Sequence, residues 1–64
     1  MAISNYLKES IKELNAMTEL FNIDDCTHCA INEWMIKLAP TSEHMKITEF
    51  ADMCKDLVEA GEYA

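Results

Sequence analysis

The stretch DDCTHCAINEWMIKLA, residues 24–39, holds two of the three cysteines, one of the two histidines and the only tryptophan. Wound as a helix, it places five apolar side chains on one broad arc, whereas Cys29 and Ile36 fall on a different side. The arc consists of Ala30, Ile31, Trp34, Met35 and Leu38. A helix that is apolar on more than one side needs more than one neighbour. We therefore expect this segment to be the central helix of a small bundle, or the centre of a dimer.

Capping signals divide the chain into three helices and predict a single all-α domain over residues 1–64. Pro40 disfavours helical geometry in the residue before it, so the central helix should end at Ala39. Thr41 or Ser42 is then the expected N-cap of the next helix. The predicted helices cover about residues 4–21, 25–39 and 42–60. Because the two connections are short, successive helices should run antiparallel in a small three-helix bundle.

Both flanking helices show apolar residues at spacings of three and four, which is typical of amphipathic helices. Leu14 in the first helix, Trp34 in the central helix and Phe50 in the third are predicted to form the centre of the core. Half of the 64 residues are hydrophobic, and a monomer of this size has little volume in which to bury them. Part of the apolar surface is therefore expected to be shared with a partner or a second copy.

The charge balance restricts the kinds of partner. Twelve acidic and five basic residues give a formal net charge of −7, which repels nucleic acid and anionic membranes and favours basic partners. No basic cluster suggests direct nucleic-acid binding, and no apolar segment approaches membrane-spanning length. The first residues lack the pattern of a secretory signal. Three cysteines without an export signal indicate reduced thiols, so a cytoplasmic location is expected.

The third predicted helix carries an acidic stripe opposite its apolar face. The stripe consists of Glu49, Asp52, Asp56 and Glu59, at spacings of three, four and three. Lys46 and Lys55 border it and are not expected to neutralise it. One interpretation is a docking surface for a basic protein, which could imitate the phosphate row of a nucleic acid. The alternative is that the stripe is the solvated side of an amphipathic helix.

A second candidate surface is the other side of the central helix. It would use Cys29, Trp34, Met35 and Ile36 as a seam for a homodimer or for another partner. Exposed apolar surface on a small domain usually marks an interface, and a two-fold dimer would let each copy cover the other. The alternative is that the two neighbouring helices cover both sides within one monomer.

The motif Cys26-Thr-His-Cys29 has the spacing of a zinc-binding pair. Cys26, Cys29, His44 and Cys54 could complete a tetrahedral set, with His28 as a further candidate. However, His44 and Cys54 are ten residues apart and do not form the closely spaced second pair that structural zinc sites usually have. A redox role would require a βαβ context that the chain does not show. Thiol–imidazole catalysis would require a concave pocket that a small bundle does not readily form.

These patterns favour a small, acidic, non-catalytic protein without a cofactor that binds and modulates or inhibits another macromolecule. Compact inhibitors of nucleic-acid-binding complexes, encoded by phages and mobile elements, often have this size and charge, although this analogy holds only at the level of the class. One alternative is a zinc-stabilised mini-domain that uses the Cys26 and Cys29 pair. A second alternative is a helix-turn-helix regulator, although its third helix would carry acidic residues where contacts to phosphate require basic ones.

Overall fold

A computed structural model describes residues 4–61 of the chain. This part contains three helices, α1 (Asn5–Leu20), α2 (Asp25–Ser42) and α3 (Ile47–Glu59), and each contacts the other two. The predicted all-α three-helix bundle is therefore confirmed. None of these three helices is both long and apolar enough to cross a membrane. Residues 1–3 and 62–64, which the predicted domain includes, lie outside the described range.

Side-chain contacts give the direction of each helix. Thr18, near the end of α1, meets His28, near the start of α2, with 2.7 Å between Oγ1 and Nδ1. These two helices therefore run antiparallel, as predicted. The centres of the Tyr6 and Phe50 rings lie 5.3 Å apart, near the starts of α1 and α3. Phe21, which follows the end of α1, has the Lys55 ammonium of the second half of α3 over its ring. Helices α1 and α3 consequently run in the same direction.

The core lies where the three helices meet. Leu14 and Phe50 are fully buried, as predicted for the centre of the core. Trp34 was expected beside them, but it lies at the core edge and is only partly buried. The central positions of α2 belong instead to Ile31 and Met35, which are inaccessible to solvent. The buried apolar set is Leu7, Leu14, Met17, Ile31, Met35, Ala39, Phe50, Ala51, Cys54 and Val58.

Helix α2 does not end before Pro40, as the sequence had suggested, but continues through Ser42. A proline in a helix leaves the carbonyl four residues earlier without its N–H partner, and here that carbonyl belongs to Ile36. Ile36 and Pro40 are both exposed, so water can reach the region that lacks the bond. Continuing the helix buries Ala39 in the core and also buries Ser42. This packing outweighs the local preference against the helical conformation before proline.

The start of α3 also differs from the prediction. Since Ser42 belongs to α2, neither Thr41 nor Ser42 caps the third helix, which begins at Ile47 after Lys46 as N-cap. The other two caps use side-chain oxygens: Ser4 accepts a hydrogen bond from Leu7 N–H at 3.2 Å, and Asp24 accepts one from Thr27 N–H at 2.8 Å. Lys46 makes no side-chain cap bond, although its backbone is extended like theirs.

Helix α3 ends at Glu59, and a glycine lies in the turn that follows it. Gly61 follows the helix with φ of 80°, the left-handed conformation that glycine adopts without a steric penalty. Its N–H donates to the Val58 carbonyl at 3.0 Å, which satisfies one of the last carbonyls of the helix. The turn after α1 uses the same region of backbone conformation at Asn22, with φ of 53°.

Candidate functional site

The acidic stripe lies on the outer face of α3. All four of its residues, Glu49, Asp52, Asp56 and Glu59, are exposed. The opposite face of the helix points inward and contributes Phe50, Ala51, Cys54 and Val58 to the core. Burial of that apolar face fixes the rotation of α3 about its own axis. The carboxylates on the opposite face therefore point into solvent.

A shallow groove of about 550 Å³ runs along one side of this stripe. Three carboxylates line it together with three apolar side chains: Glu49, Asp52, Asp56, Met53, Leu57 and Ala60. Met53 and Leu57 are partly buried and Ala60 is exposed. Because all of these residues belong to α3 or its C-cap, the groove is an open strip along one helix and not an enclosed pocket.

The apolar side of this strip was not recognised from the sequence. The sequence pattern places Leu57 on the apolar face of the third helix, and it indicates no role for Met53 beyond adaptable contact surface. The available signal was their spacing of four residues, directly beside Asp52 and Asp56. Such a pair lies on one helix face, at the border between the core and the acidic stripe.

Glu59 behaves differently from the other three acidic residues. The Lys55 ammonium lies 2.7 Å from Glu59 Oε1 and also 5.4 Å from the centre of the Phe21 ring. The hydrogen bond to Glu59 raises the pKa of Lys55, and the nearby Asp56 and Asp52 carboxylates raise it further. The expectation that Lys55 only borders the stripe is therefore wrong, because it pairs with Glu59 on the side away from the groove.

The three groove carboxylates are not held in ion pairs within the described part of the chain. Among residues 4–61, no Lys or His forms an ion pair with Glu49, Asp52 or Asp56. Three negative charges at helical spacings of three and four produce a local negative potential beside an apolar strip. This combination can attract a positively charged segment and give it an apolar surface to contact.

The Cys-Thr-His-Cys motif is divided between two sides of α2. Cys26 and Cys29 are exposed, whereas His28 faces α1 and contacts Thr18. Cys54 is buried in the core. Among the described residues, no group of three or more His, Cys, Asp or Glu side chains is arranged to hold a metal ion. The alternative ligand set of Cys26, Cys29, His44 and Cys54 is thus not brought together within one chain.

The contact of His28 with Thr18 indicates the tautomer of its ring. The Thr18 hydroxyl lies 2.8 Å from the Leu14 carbonyl oxygen and 2.7 Å from His28 Nδ1. A hydroxyl has one proton, and the carbonyl can only accept. Both contacts are satisfied when Thr18 donates to Leu14 and His28 Nδ1–H donates to Thr18. His28 therefore joins α1 to α2.

The predicted seam on α2 is also divided. Met35 is fully buried and Trp34 is partly buried, with the Lys37 ammonium 5.1 Å from the centre of its ring. Met35 therefore cannot contribute to an exposed seam, because it packs into the core of its own chain. Cys29 and Ile36 remain on the outer face, and 53% of Ile36 is exposed.

Comparison with known proteins identifies no relative of this chain. The chain matches no protein-family model, and neither curated proteins nor solved structures show significant similarity to it.

Proposed function

We propose that this protein is a small, acidic, non-catalytic interaction protein that binds a basic segment of another protein along α3. The groove beside the acidic stripe is the binding surface. Asp52 and Asp56 pair with lysine or arginine side chains of the partner, and Met53 and Leu57 contact its apolar residues. Binding there modulates or inhibits the partner by covering its basic surface.

The observation that supports this proposal is the composition of the groove. Its three carboxylates lack ion-pair partners among the described residues, and they lie next to partly buried apolar side chains. Met53 and Leu57 lie at the border between the core and these charges and remain partly exposed, so a bound segment can contact them. Apolar contacts with charged residues at the edge match the usual anatomy of an interface. Opposite charges accelerate the encounter and help to select the partner.

The proposed partner is basic, and its basic surface otherwise contacts nucleic acid. A row of carboxylates on α3 resembles a row of phosphates in the sign and regularity of its charge. In this mechanism the protein competes with nucleic acid for the partner, as an accessory inhibitor encoded by a phage or mobile element would. The same charge opposes the helix-turn-helix alternative, since α3 would place carboxylates against phosphates.

A charge reversal tests the binding surface. The double variant Asp52→Lys and Asp56→Lys is compared with Glu19→Lys and Glu33→Lys, which reverses two exposed charges on the other helices. Both variants have the same net charge. The probe is a labelled basic amphipathic peptide, with leucines at every third or fourth position and lysines on the opposite side. Fluorescence anisotropy reports its binding, and circular dichroism verifies that both variants remain folded.

We expect the α3 variant to bind the peptide roughly tenfold or more weakly, because two attractions become repulsions. The control variant should lose clearly less affinity. Equal losses in the two variants would mean that the peptide responds only to net charge, and the groove would then have no specific role. A photo-crosslinker at Ala60, with exposed Ala16 as the control position, extends the test to partners in cell extract.

A further inference from the structure

We propose that Cys26 and Cys29 form half of a zinc site that a second copy of the chain completes. The site would contain one Zn²⁺ and four thiolates, two from each copy. It lies on the outer face of α2 and is independent of the groove on α3. It also differs from the zinc mini-domain considered above, which would bind its ion within one chain.

The two thiols are placed as a pair. They are three residues apart in the first turns of α2, where Cβ atoms lie about 5–6 Å from each other, and both are exposed. Zinc–sulfur bonds of about 2.3 Å in a tetrahedron bring two sulfurs to roughly 3.8 Å from each other. Rotation about the Cα–Cβ bonds can bring the two sulfur atoms to this distance. The pair is therefore able to chelate one ion without unwinding the helix.

Residues 4–61 of one chain do not bring the remaining ligands to this pair. A structural zinc site is closed by four protein ligands. Cys54 is buried in the core, and His28 is turned towards Thr18 on the other side of the helix. The described residues contain no arrangement of three ligands. A second copy supplies two further thiolates, which gives a four-cysteine set, one of the ligand sets found in structural zinc sites.

The surface around the pair is suited to a second copy. Ile36 follows Cys29 by seven residues, so it lies on the same face of α2, and it is one of the large apolar side chains that remain exposed in the described part. A copy held by the zinc ion would cover this side chain. Two chains with a net charge of −7 each repel one another. We therefore expect pairing to depend on the metal.

The test uses the full chain, reduced with a non-thiol reductant and freed of metal, at an ionic strength of about 0.15 M, where the Debye length is about 8 Å. Zn²⁺ is added in steps, and native mass spectrometry and sedimentation report mass and oligomeric state. The expected product is a dimer with one zinc ion. Co²⁺ in place of zinc should give the visible absorption bands of tetrahedral cobalt together with thiolate-to-metal charge transfer.

The decisive variant is Cys26→Ser with Cys29→Ser. Both residues are exposed, so its circular dichroism should match that of the natural chain. It should lose the zinc-dependent dimer and bind zinc more than about 100-fold more weakly, which exceeds the usual effect of changing a residue outside the ligand set. His44→Ala is the matched control and should retain both properties. One zinc ion on a monomer, a dimer that forms equally without metal, or zinc binding that survives loss of both cysteines would overturn the proposal.

Discussion

At the scale of single residues, burial separates side chains that the sequence pattern treats alike. Trp34 and Met35 are neighbours on the apolar arc of α2, yet Met35 is fully buried and Trp34 lies at the core edge beside Lys37. The angular positions of both residues around the helix axis are compatible with the apolar face of an amphipathic helix. Which one faces the centre depends on the positions of α1 and α3, and a flexible unbranched methionine adapts to irregular gaps in a core more readily than an indole ring.

Truncating core residues should therefore have unequal effects. Leu14→Ala and Phe50→Ala should each lower the free energy of unfolding by about 2–5 kcal/mol, because they remove fully buried side chains and leave cavities. Trp34→Ala should cost clearly less, because the ring is already partly hydrated. Urea denaturation followed by circular dichroism measures all three. A loss for Trp34→Ala as large as that for Phe50→Ala would place the tryptophan back in the core.

At the scale of helices, the three N-termini form a natural comparison. Ser4, Asp24 and Lys46 all have extended backbone conformations, but only the first two accept a capping hydrogen bond through the side chain. The Thr27 hydrogen bonds also lower the pKa of the Asp24 carboxyl. This capping contribution is present above the usual pKa of aspartate and is lost as the pH falls through the lowered value. Helix α3 has no such cap, and its N-terminus can be improved.

Lys46→Ser should stabilise the protein by about 0.5–1.5 kcal/mol, because serine can accept a hydrogen bond from an unpaired N–H at the start of α3. Lys46→Ala is the control, since it removes the same positive charge without adding an acceptor. In the opposite direction, Ser4→Ala should cost about 1 kcal/mol. The midpoints of urea unfolding give all three values. If the serine and alanine variants at position 46 are equally stable, the gain comes from charge removal and not from capping.

At the scale of the whole molecule, the stability of the fold at alkaline pH depends on two buried ionisable groups, the Cys54 thiol and the Tyr6 hydroxyl. Burial raises the pKa of the Cys54 thiol to about 11, from 9.0. Burial also raises the pKa of Tyr6, and Cys54, Glu43 and Glu49 add to this effect. The Tyr6 hydroxyl is buried and has no hydrogen-bond partner among the described residues. Both groups therefore favour their neutral forms in the folded chain.

The protein should lose stability as the pH rises from about 9 towards 11. In this range the unfolded chain releases the Cys54 proton while the folded chain retains it, so unfolding becomes more favourable. The loss from Cys54 should approach roughly 2–3 kcal/mol. Urea unfolding at pH 8 and at pH 10.5 measures it, and Cys54→Ala should reduce the difference between the two. If that variant shows the same pH dependence as the natural chain, the source lies elsewhere.

Periodicity and capping signals together were sufficient for the number and type of the helices. Local signals failed at Pro40, where the predicted boundary was three residues too early and the third helix was started five residues too soon. The preference against helix before proline is a local effect of modest size. Burial of Ala39 and Ser42 is a tertiary effect, and the helix continues through Pro40 where this burial is gained.

The candidate sites also contain features that the sequence predicts and features that depend on packing. Charge and spacing identified the acidic stripe and the Cys26 and Cys29 pair, because both depend only on which residues recur along one helix. The exposure of both thiols is seen only in the structure. The pairing of Glu59 with Lys55, the apolar side of the groove and the inward turn of His28 depend on where neighbouring helices lie. A repeat along one helix specifies angles around its axis. Packing of the three helices sets how each helix is rotated relative to its neighbours, and therefore which side chains reach solvent.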